Sequence, residues 1–386
     1  MGKLWLPVYL PSFLIAAGQQ AVLVLLPLYA LQLDGGASFA ATLLALRGIG
    51  SLVSNVPSGM LVARFGDKWI MLSALLLLGG SSVLLGQTQS LFLAGLLTVV
   101  YGAGSGSWLL ARLVYVTEAA PLEMRGRAIA ALGGIQRVGM LVGPVAGGGL
   151  ATGFGYDVAF LAAGACAFAS LLLVVLFTTN SRPEYDLAGG PGLHSTARII
   201  RDHWPTFRTA GVANIGLAVL RSGRMLLLPL WGTAIGLNEA QVGMLFMFSS
   251  ALEILMSYPA GYLLDARGHK ATALPCFGLV ILSMFLLPLA GSLWPLVLVA
   301  GISGIGNGFG TGIQMTMGSD YAPKDKRGEF LGVWRMMGDS GQVGGPLVIG
   351  PVAEAFSLAS ATVVTAIIGL GGMAVMAFIV KEPKRV

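Results

Sequence analysis

Ala120-Pro-Leu-Glu-Met-Arg-Gly-Arg127 and Ala322-Pro-Lys-Asp-Lys-Arg-Gly-Glu329 lie 202 residues apart. The same offset lays Pro57-Ser-Gly59 on Pro259-Ala-Gly261, and Gly66 and Lys68 on Gly268 and Lys270. It also lays Gly102, Gly104 and Gly106 on Gly304, Gly306 and Gly308. Gly139, Gly143 and Pro144 meet Gly341, Gly345 and Pro346, and Pro27 meets Pro229. One constant offset across separated motifs makes the chain two repeats of the same orientation.

The repeats are apolar. Of 386 residues, 55% are hydrophobic and 10% charged, against about 25% charged in an average soluble domain. Mean hydropathy is +0.81. These values exclude a soluble globular protein, a disordered chain and a nucleic-acid-binding module. The net charge of +6 is small enough that its placement matters more than its size. Cys166 and Cys276 sit in separate apolar runs, which leaves no disulfide framework or CxxC metal site. His194, His203 and His269 fall in polar connections. No cofactor and no metal are expected.

A helix needs roughly 20 apolar residues to cross a bilayer. Twelve runs qualify: 5–30, 38–62, 69–88, 91–116, 127–151, 157–178, 207–233, 240–264, 271–290, 293–318, 329–352 and 357–380. The expected fold is therefore all-α and integral to the membrane. It has a six-helix bundle at 1–178, a linker at 179–206 and a second bundle at 207–386. The first run is too long for a signal-peptide core and is read as a retained span. The linker holds Ala188-Gly-Gly-Pro-Gly192 and ends in the amphipathic Ala197-Arg-Ile-Ile-Arg-Asp-His-Trp204. Two readings fit that ending: a helix lying at the membrane surface, or a solvated linker helix.

Basic residues orient the spans. With the N-terminus inside, the inner connections hold 17 of the 23 Lys and Arg residues: Lys3, Arg64, Lys68, Arg125, Arg127, Arg182, Arg198, Arg201, Arg208, Arg267, Lys270, Lys324, Lys326, Arg327, Lys381, Lys384 and Arg385. The outer connections hold none. The positive-inside rule then places both termini in the cytoplasm, in an inner or plasma membrane.

Two six-helix halves with these loops resemble the major facilitator superfamily along the whole chain. Gly59-Met-Leu-Val-Ala-Arg64-Phe-Gly66-Asp-Lys68 is similar to the G-x-L-x-D-R-x-G-R-K loop of that family. Gly261-Tyr-Leu-Leu-Asp265-Ala-Arg267-Gly268-His-Lys270 is its second copy. Glycine permits the tight turn, and the charges latch neighbouring helix ends. Ala63 departs from the pattern, standing where an acid is usual, while Asp265 keeps it. The loop after span 4, Glu118-x-x-Pro121-x-x-x-Arg125-Gly-Arg127, resembles the second charge cluster of the family. The resemblance implies a cytoplasmic gate in which Glu118 meets Arg64, Arg125 or Arg127, with Asp265, Asp320 and Arg327 as counterparts. Positive-inside anchoring is the plainer account of the same charges.

In span 5, Gly139-x-x-x-Gly143-Pro144-x-x-Gly147 resembles the signature of antiporters, in particular drug/proton exporters. The glycines allow close packing. The proline removes a backbone hydrogen bond and weakens the helix at one point, and Gly345 and Pro346 repeat the device. Thr98 departs from the resemblance, since those exporters place an arginine there.

Eight charges lie within spans: Arg47, Arg112, Arg137, Arg221, Arg224, Arg335, Glu253 and Asp339. Each would cost roughly 2.5–3.5 kcal/mol or more facing lipid. They are expected to face a wet cavity, one another or a ligand, and the positive surplus favours anions. Arg47 and Arg137 lie near mid-span, where this architecture places substrate. Arg335 and Asp339 share a helix face, as do Arg221 and Arg224. Arg112 is nearer the inner end, beside the gate. Glu253 is roughly 18 Å along its helix from Asp265 and is the preferred proton carrier, with Asp339 second. Gln19, Gln20 and Asn214 are candidates to line the same cavity.

The reading is a secondary transporter working by alternating access. It would exchange protons for an amphipathic anionic or zwitterionic organic compound and export it. The alternatives are symport or exchange of a small anion, and transport of a lysolipid. The partners are a small-molecule substrate, H+ and the bilayer, with no nucleic acid, and a monomer is expected. An intramembrane hydrolase at Ser105 or Ser107 lacks a histidine within the spans to activate it.

Overall fold

Inside a bilayer each backbone amide and carbonyl must find a partner within the protein, so apolar runs become helices. The computed structural model describes residues 4–121, 124–179, 193–323 and 326–382. Among them only helices occur. The first repeat is α1 (Leu10–Gln32), α2 (Gly36–Phe65), α3 (Asp67–Gln87), α4 (Leu91–Ala119), α5 (Arg125–Phe154) and α6 (Tyr156–Phe177). A connecting α7 (Leu193–Asp202) and the short α8 (Trp204–Thr206) follow. The second repeat is α9 (Val212–Ala234), α10 (Glu239–Arg267), α11 (His269–Leu286), α12 (Leu293–Phe309), α13 (Ile313–Tyr321), α14 (Arg327–Ala355) and α15 (Leu358–Ala374). The Ala188–Gly192 stretch of the linker lies outside the described residues.

Among the described residues, eleven spans are both long and apolar enough to cross a membrane. The twelfth expected span, α14, has the length but carries Arg327, Glu329, Arg335 and Asp339 in its first half. Another difference concerns the run 293–318, expected as one helix. It breaks between α12 and α13, where Gly312 takes a left-handed φ of 82°. Gly308, Gly310 and Gly312 crowd the break, and glycine is the residue that adopts this conformation readily.

The chain forms two compact units. One comprises Met1–Gly35, Leu46–Gly190 and Asn238–Met247; the other comprises Gly36–Ala45, Pro191–Leu237 and Phe248–Val386. In the first, α1 packs on α5 and α6, and α3 on α4 and α6. In the second, α9 packs on α14 and α15, and α11 on α12 and α15. Within the first unit the opening turn of α10 is tied down by the end of α5. The Ala240 amide donates to Thr152 Oγ1 at 2.9 Å, and the hydroxyl of Tyr156 donates to Glu239 at 2.8 Å. Within the second unit the opening turn of α2 is tied to α14, where the Ser38 amide donates to Glu354 at 2.8 Å. Ser38 and Ala240 are repeat-mates, and so are Thr152 and Glu354.

The repeat extends to single atoms. A methyl group added at Gly102 of α4 would strike the Arg47 carbonyl of α2, and one at Gly106 would meet the Ser51 carbonyl. In the second unit, Gly304 faces the Ser249 carbonyl and Gly308 faces the Glu253 carbonyl. Each of these partners is displaced by 202 residues from its mate. Glycine is required here for close backbone approach rather than for a turn.

The two family-like loops turn identically, on Gly66 (φ 92°) and Gly268 (φ 91°). Their lysines close the last helix of each repeat. Lys68 Nζ donates to the carbonyls of Val175 at 3.0 Å and Thr178 at 2.6 Å. Lys270 Nζ donates to Ala377, the mate of Val175, at 2.8 Å. A cation on the free carbonyls of a helix C-terminus is favourable. The amphipathic α7 lies along α14, with Ile199 buried and Arg201 exposed.

Two outcomes follow for thermal unfolding in detergent. Gly102→Ala and Gly304→Ala are each expected to destabilise by about 1–3 kcal/mol through overpacking. Gly344→Ala, where added bulk meets open space, is expected to leave the midpoint unchanged or higher. Lys68→Met and Lys270→Met are expected to lower the midpoint by a similar amount to each other, about 0.3–1 kcal/mol.

Candidate functional site

The break after α12 organises the polar groups of the second unit. It leaves the Gly310 carbonyl with only a long backbone bond from the Ile313 amide, at 3.4 Å, and Arg221 Nη2 from α9 donates to it at 2.7 Å. Arg221 Nη1 reaches Gln314 Oε1 at 3.4 Å. Gln314 Nε2 donates to Asn214 Oδ1 at 2.6 Å, and Asn214 Nδ2 donates to the Trp334 carbonyl at 3.3 Å. Trp334 Nε1 returns a bond to the Gln314 carbonyl at 2.7 Å. This network joins α9, α13 and α14. Asn214, Gln314, Leu217, Phe277 and Met376 line a small cavity.

One turn along α9, Arg224 is 2% exposed. Its Nη2 donates to Ser249 Oγ at 2.6 Å, and its Nη1 stands 3.6 Å from Glu253 Oε2. The Ser249 hydroxyl donates onward to the Ala300 carbonyl at 2.7 Å. The Glu253 carboxylate remains partly open. A second pair, Arg335 with Asp339 at 3.7 Å, lies on α14 and is more exposed. Arg221 and Arg224 thus share a helix but not their partners: one binds amide and carbonyl oxygens, the other an acid.

The first unit is built differently. Arg47 on α2 lies beside Tyr101, and its Nε is buried without a hydrogen bond. Gln19 donates to Ser105 Oγ at 2.9 Å, and Gln20 lies at the crossing of α1 with Gly143 of α5. Arg137 on α5 is partnered. Arg112 is 2% exposed, with its guanidinium 5.9 Å from the Trp108 ring centroid. Among the described residues, Arg47, Arg112 and Arg221 have no acid within ion-pair distance. Ser107, weighed above as a nucleophile, is bonded to Ser58 at 2.7 Å.

The residues expected to form a gate divide. Gly66 makes its turn, and Lys68 caps α6 as described. Gly59 has open packing near Leu110. Arg64 sits 5.2 Å over the Phe65 ring. Glu118 makes no ion pair among the described residues, and Arg125 Nε is buried and unbonded. Arg127 and Arg267 are exposed, and Asp265 is partnered. Asp320 meets His269 Nε2 at 2.9 Å, and Arg327 bonds Ser319. His269, placed by its sequence in a polar connection, is buried at the first position of α11. Its repeat-mate is Asp67, also buried.

The candidate hinge glycines are packing positions. Gly139, Gly143 and Gly147 of α5 face Ala16, Ala17 and Ala21 of α1. Gly345 of α14 faces Val219 and Ser222 of α9. Pro144 and Pro346 lie inside α5 and α14. Sequence reading missed Gln314, Ser249 and Trp334. The signal for Gln314 was present as the glycine cluster Gly308-Phe-Gly310-Thr-Gly312 two residues before it.

The Major Facilitator Superfamily model matches residues 8–224 and again residues 210–386. The MFS-type transporter TOXA of Cochliobolus carbonum is 29% identical over 192 residues, covering 48% of this chain and 33% of that one. The uncharacterized transporter BU466 of Buchnera aphidicola is 24% identical over 184 residues, 47% of this chain and 46% of that one. The match thus spans less than half the length of either relative. The uncharacterized MFS-type transporter YuxJ of Bacillus subtilis is 26% identical over 330 residues, 80% of this chain and 81% of that one. Among solved structures, a POT family transporter complexed with a thioalcohol-conjugated peptide aligns with a TM-score of 0.79 at 13% identity, covering 98% of this chain and 95% of that one. The nucleoside transporter NupG aligns at 0.76 and 15% identity, over 97% and 99%. The D-xylose-proton symporter aligns at 0.74 and 15% identity, over 99% and 98%. These likenesses are to transporters rather than enzymes, and they agree with the helical repeats and the loop geometry: the chain is a multi-pass membrane protein belonging to the Major Facilitator Superfamily.

Proposed function

We propose that the chain is a proton-coupled exporter of amphipathic organic anions or zwitterions, working by alternating access with both termini in the cytoplasm. The carrying observation is the charge inventory of the spans: Arg47 and Arg221 have no acid within ion-pair distance among the described residues. An uncompensated guanidinium in a membrane helix is expensive. Spans that tolerate such charges attract anions. The apolar groups beside Asn214 and Gln314, with Leu217, Phe277 and Met376, suit the apolar part of an amphipathic substrate. The glycine and proline pattern of α5 supports exchange, and the basic inner loops support the orientation.

A second reading, anion symport, is favoured by one specific contact. Arg224 and Glu253 are paired at 3.6 Å. Protonating Glu253 would release Arg224 for a substrate anion, so proton and anion would load together. The two readings have opposite signs in proteoliposomes. Exchange accumulates substrate when the lumen is acidic, and symport does so when the outside is acidic.

Ligand classes are separated first by thermal stabilisation of the purified protein, because a bound ligand raises apparent stability by mass action. Organic anions or zwitterions are expected to stabilise and size-matched cations are not; stabilisation by cations alone overturns the charge assignment. With a stabilising ligand in hand, Arg221→Ala is expected to cut uptake at low substrate roughly 30-fold or more, since truncating a buried charged partner costs about 2–5 kcal/mol. Glu253→Gln is expected to abolish the response to a pH gradient while leaving counterflow intact. A full pH response in Glu253→Gln, with loss of it in Asp339→Asn, moves the proton site to α14.

A further inference from the structure

The second unit closes its small cavity with its own amides: Gln314 donates to Asn214 at 2.6 Å. Subtracting the repeat offset of 202 places Ser12 at the Asn214 position and Arg112 at the Gln314 position. The lining residues Leu217, Phe277 and Met376 become Ile15, Leu75 and Val174. Phe277, Met376 and Asn214 give way to the smaller Leu75, Val174 and Ser12, while Ala213, Ala273 and Met317 of the same lining give way to the larger Pro11, Met71 and Tyr115; the neutral glutamine becomes a cation. All of these first-unit residues are buried.

Three polar atoms on α1 and α4 lack a hydrogen-bond partner. Ser12 is 0% exposed, Trp108 1% and Arg112 2%. Ser12 Oγ, Trp108 Nε1 and Arg112 Nε are each buried without a hydrogen bond. Trp108 and Arg112 are one turn apart on α4, with the guanidinium over the indole. No acid stands within ion-pair distance of Arg112 among the described residues. Gly310, the repeat-mate of Trp108, offers a carbonyl that Arg221 occupies; in the first unit the Trp108 indole and the Arg112 guanidinium can only donate, and the Ser12 hydroxyl can donate as well as accept. An unpaired buried charge is strongly unfavourable, and native structures satisfy nearly all buried polar groups. Three orphan donors, one of them cationic, in an apolar surround call for an acceptor that carries negative charge.

We propose that the first unit binds a small anion of halide or formate size at Arg112, with the Trp108 indole N–H and the Ser12 hydroxyl as its neutral donors. The anion is a fixed structural partner within the bundle of α1, α3, α4 and α6. The inference does not rest on the transport reading, because it uses none of the residues assigned there to substrate or proton. A water molecule would satisfy hydrogen bonds but would leave the charge uncompensated.

The test is thermal unfolding of the full-length purified protein in sodium bromide or formate, against sodium gluconate at equal ionic strength. The wild type is expected to gain about 3 °C, saturably, at anion concentrations far above the dissociation constant. Ser12→Ala is expected to weaken the apparent affinity roughly tenfold, the loss of one hydrogen bond to a charged group. The pair Ser12→Asn with Arg112→Gln installs the second-unit arrangement. It is expected to fold and to unfold at one temperature in all three salts, so the test does not depend on Arg112→Gln folding alone. Arg47→Gln is expected to keep the bromide shift. Equal midpoints of the wild type in bromide, formate and gluconate overturn the proposal. So does a shift that survives in the double variant or is lost in Arg47→Gln; the latter assigns the anion to α2 instead. Failure of organic ligands to stabilise, with the bromide result intact, would count against the transport reading alone.

Discussion

A backbone carbonyl inside a bilayer has no water to bond, and much of this structure follows from where its carbonyls find donors. Most are satisfied within helices. At helix ends and breaks, side chains must reach them. Lys68 and Lys270 close the last helix of each repeat on the carbonyls of Val175 and Ala377. Arg221 closes the break in the second repeat on Gly310. Tyr29 donates to the Leu85 and Thr88 carbonyls at the end of α3, at 2.7 and 2.5 Å. Carbonyls also fix the helix crossings, since Gly102, Gly106, Gly304 and Gly308 are the places where a carbonyl of the neighbouring helix leaves no room for a side chain.

This constraint acts on the backbone and therefore on both repeats alike, which is why the scaffold has stayed symmetric. Side chains facing inward are free of it, and there the repeats part. Arg47 has Ser249 as its mate, Ser51 has Glu253, Arg137 has Asp339, and Asp67 has His269. Acids near mid-span occur in the second repeat only. A proton carrier therefore has candidates on one side of the repeat, while arginines are spread over both. Under the proposed proton coupling, such a division would let one half hold charge constant while the other changes it.

The fold was legible because its determinants are local or periodic. Apolar run length marks the spans, and the 202-residue offset marks the repeat. Gly66 and Gly268 sit where a turn needs a positive φ. The site was legible only in part. Arg335 and Asp339 could be paired from spacing, because four residues bring them to one face of one helix. Arg224 with Glu253 could not, because the partners lie on α9 and α10 and their meeting depends on helix packing. Gln314 was hidden for a different reason. The run around it is apolar enough to look continuous, and only the left-handed Gly312 turns α13 so that Gln314 reaches Asn214. The gate charges were identified as charges, but their partners, such as His269 for Asp320, depend on which helix ends adjoin.

In the proposed function the Arg224–Glu253 pair would serve coupling rather than stability. Burying two charges gains little net energy even when they meet. Arg224 also holds Ser249, whose hydroxyl is anchored to the Ala300 carbonyl, so the guanidinium keeps its position whatever the state of the acid. Glu253 has no comparable anchor and stays partly open to its surroundings. Of the two partners, then, the cation is fixed and the acid is replaceable. A substrate carboxylate can take the place of Glu253 only when that acid is neutral, because two negative groups at one guanidinium repel. In the proposed symport cycle, proton and anion would thereby be linked through a single cation. That linkage belongs to the symport reading, in which proton and anion load together; exchange would instead require proton and substrate to compete for the site.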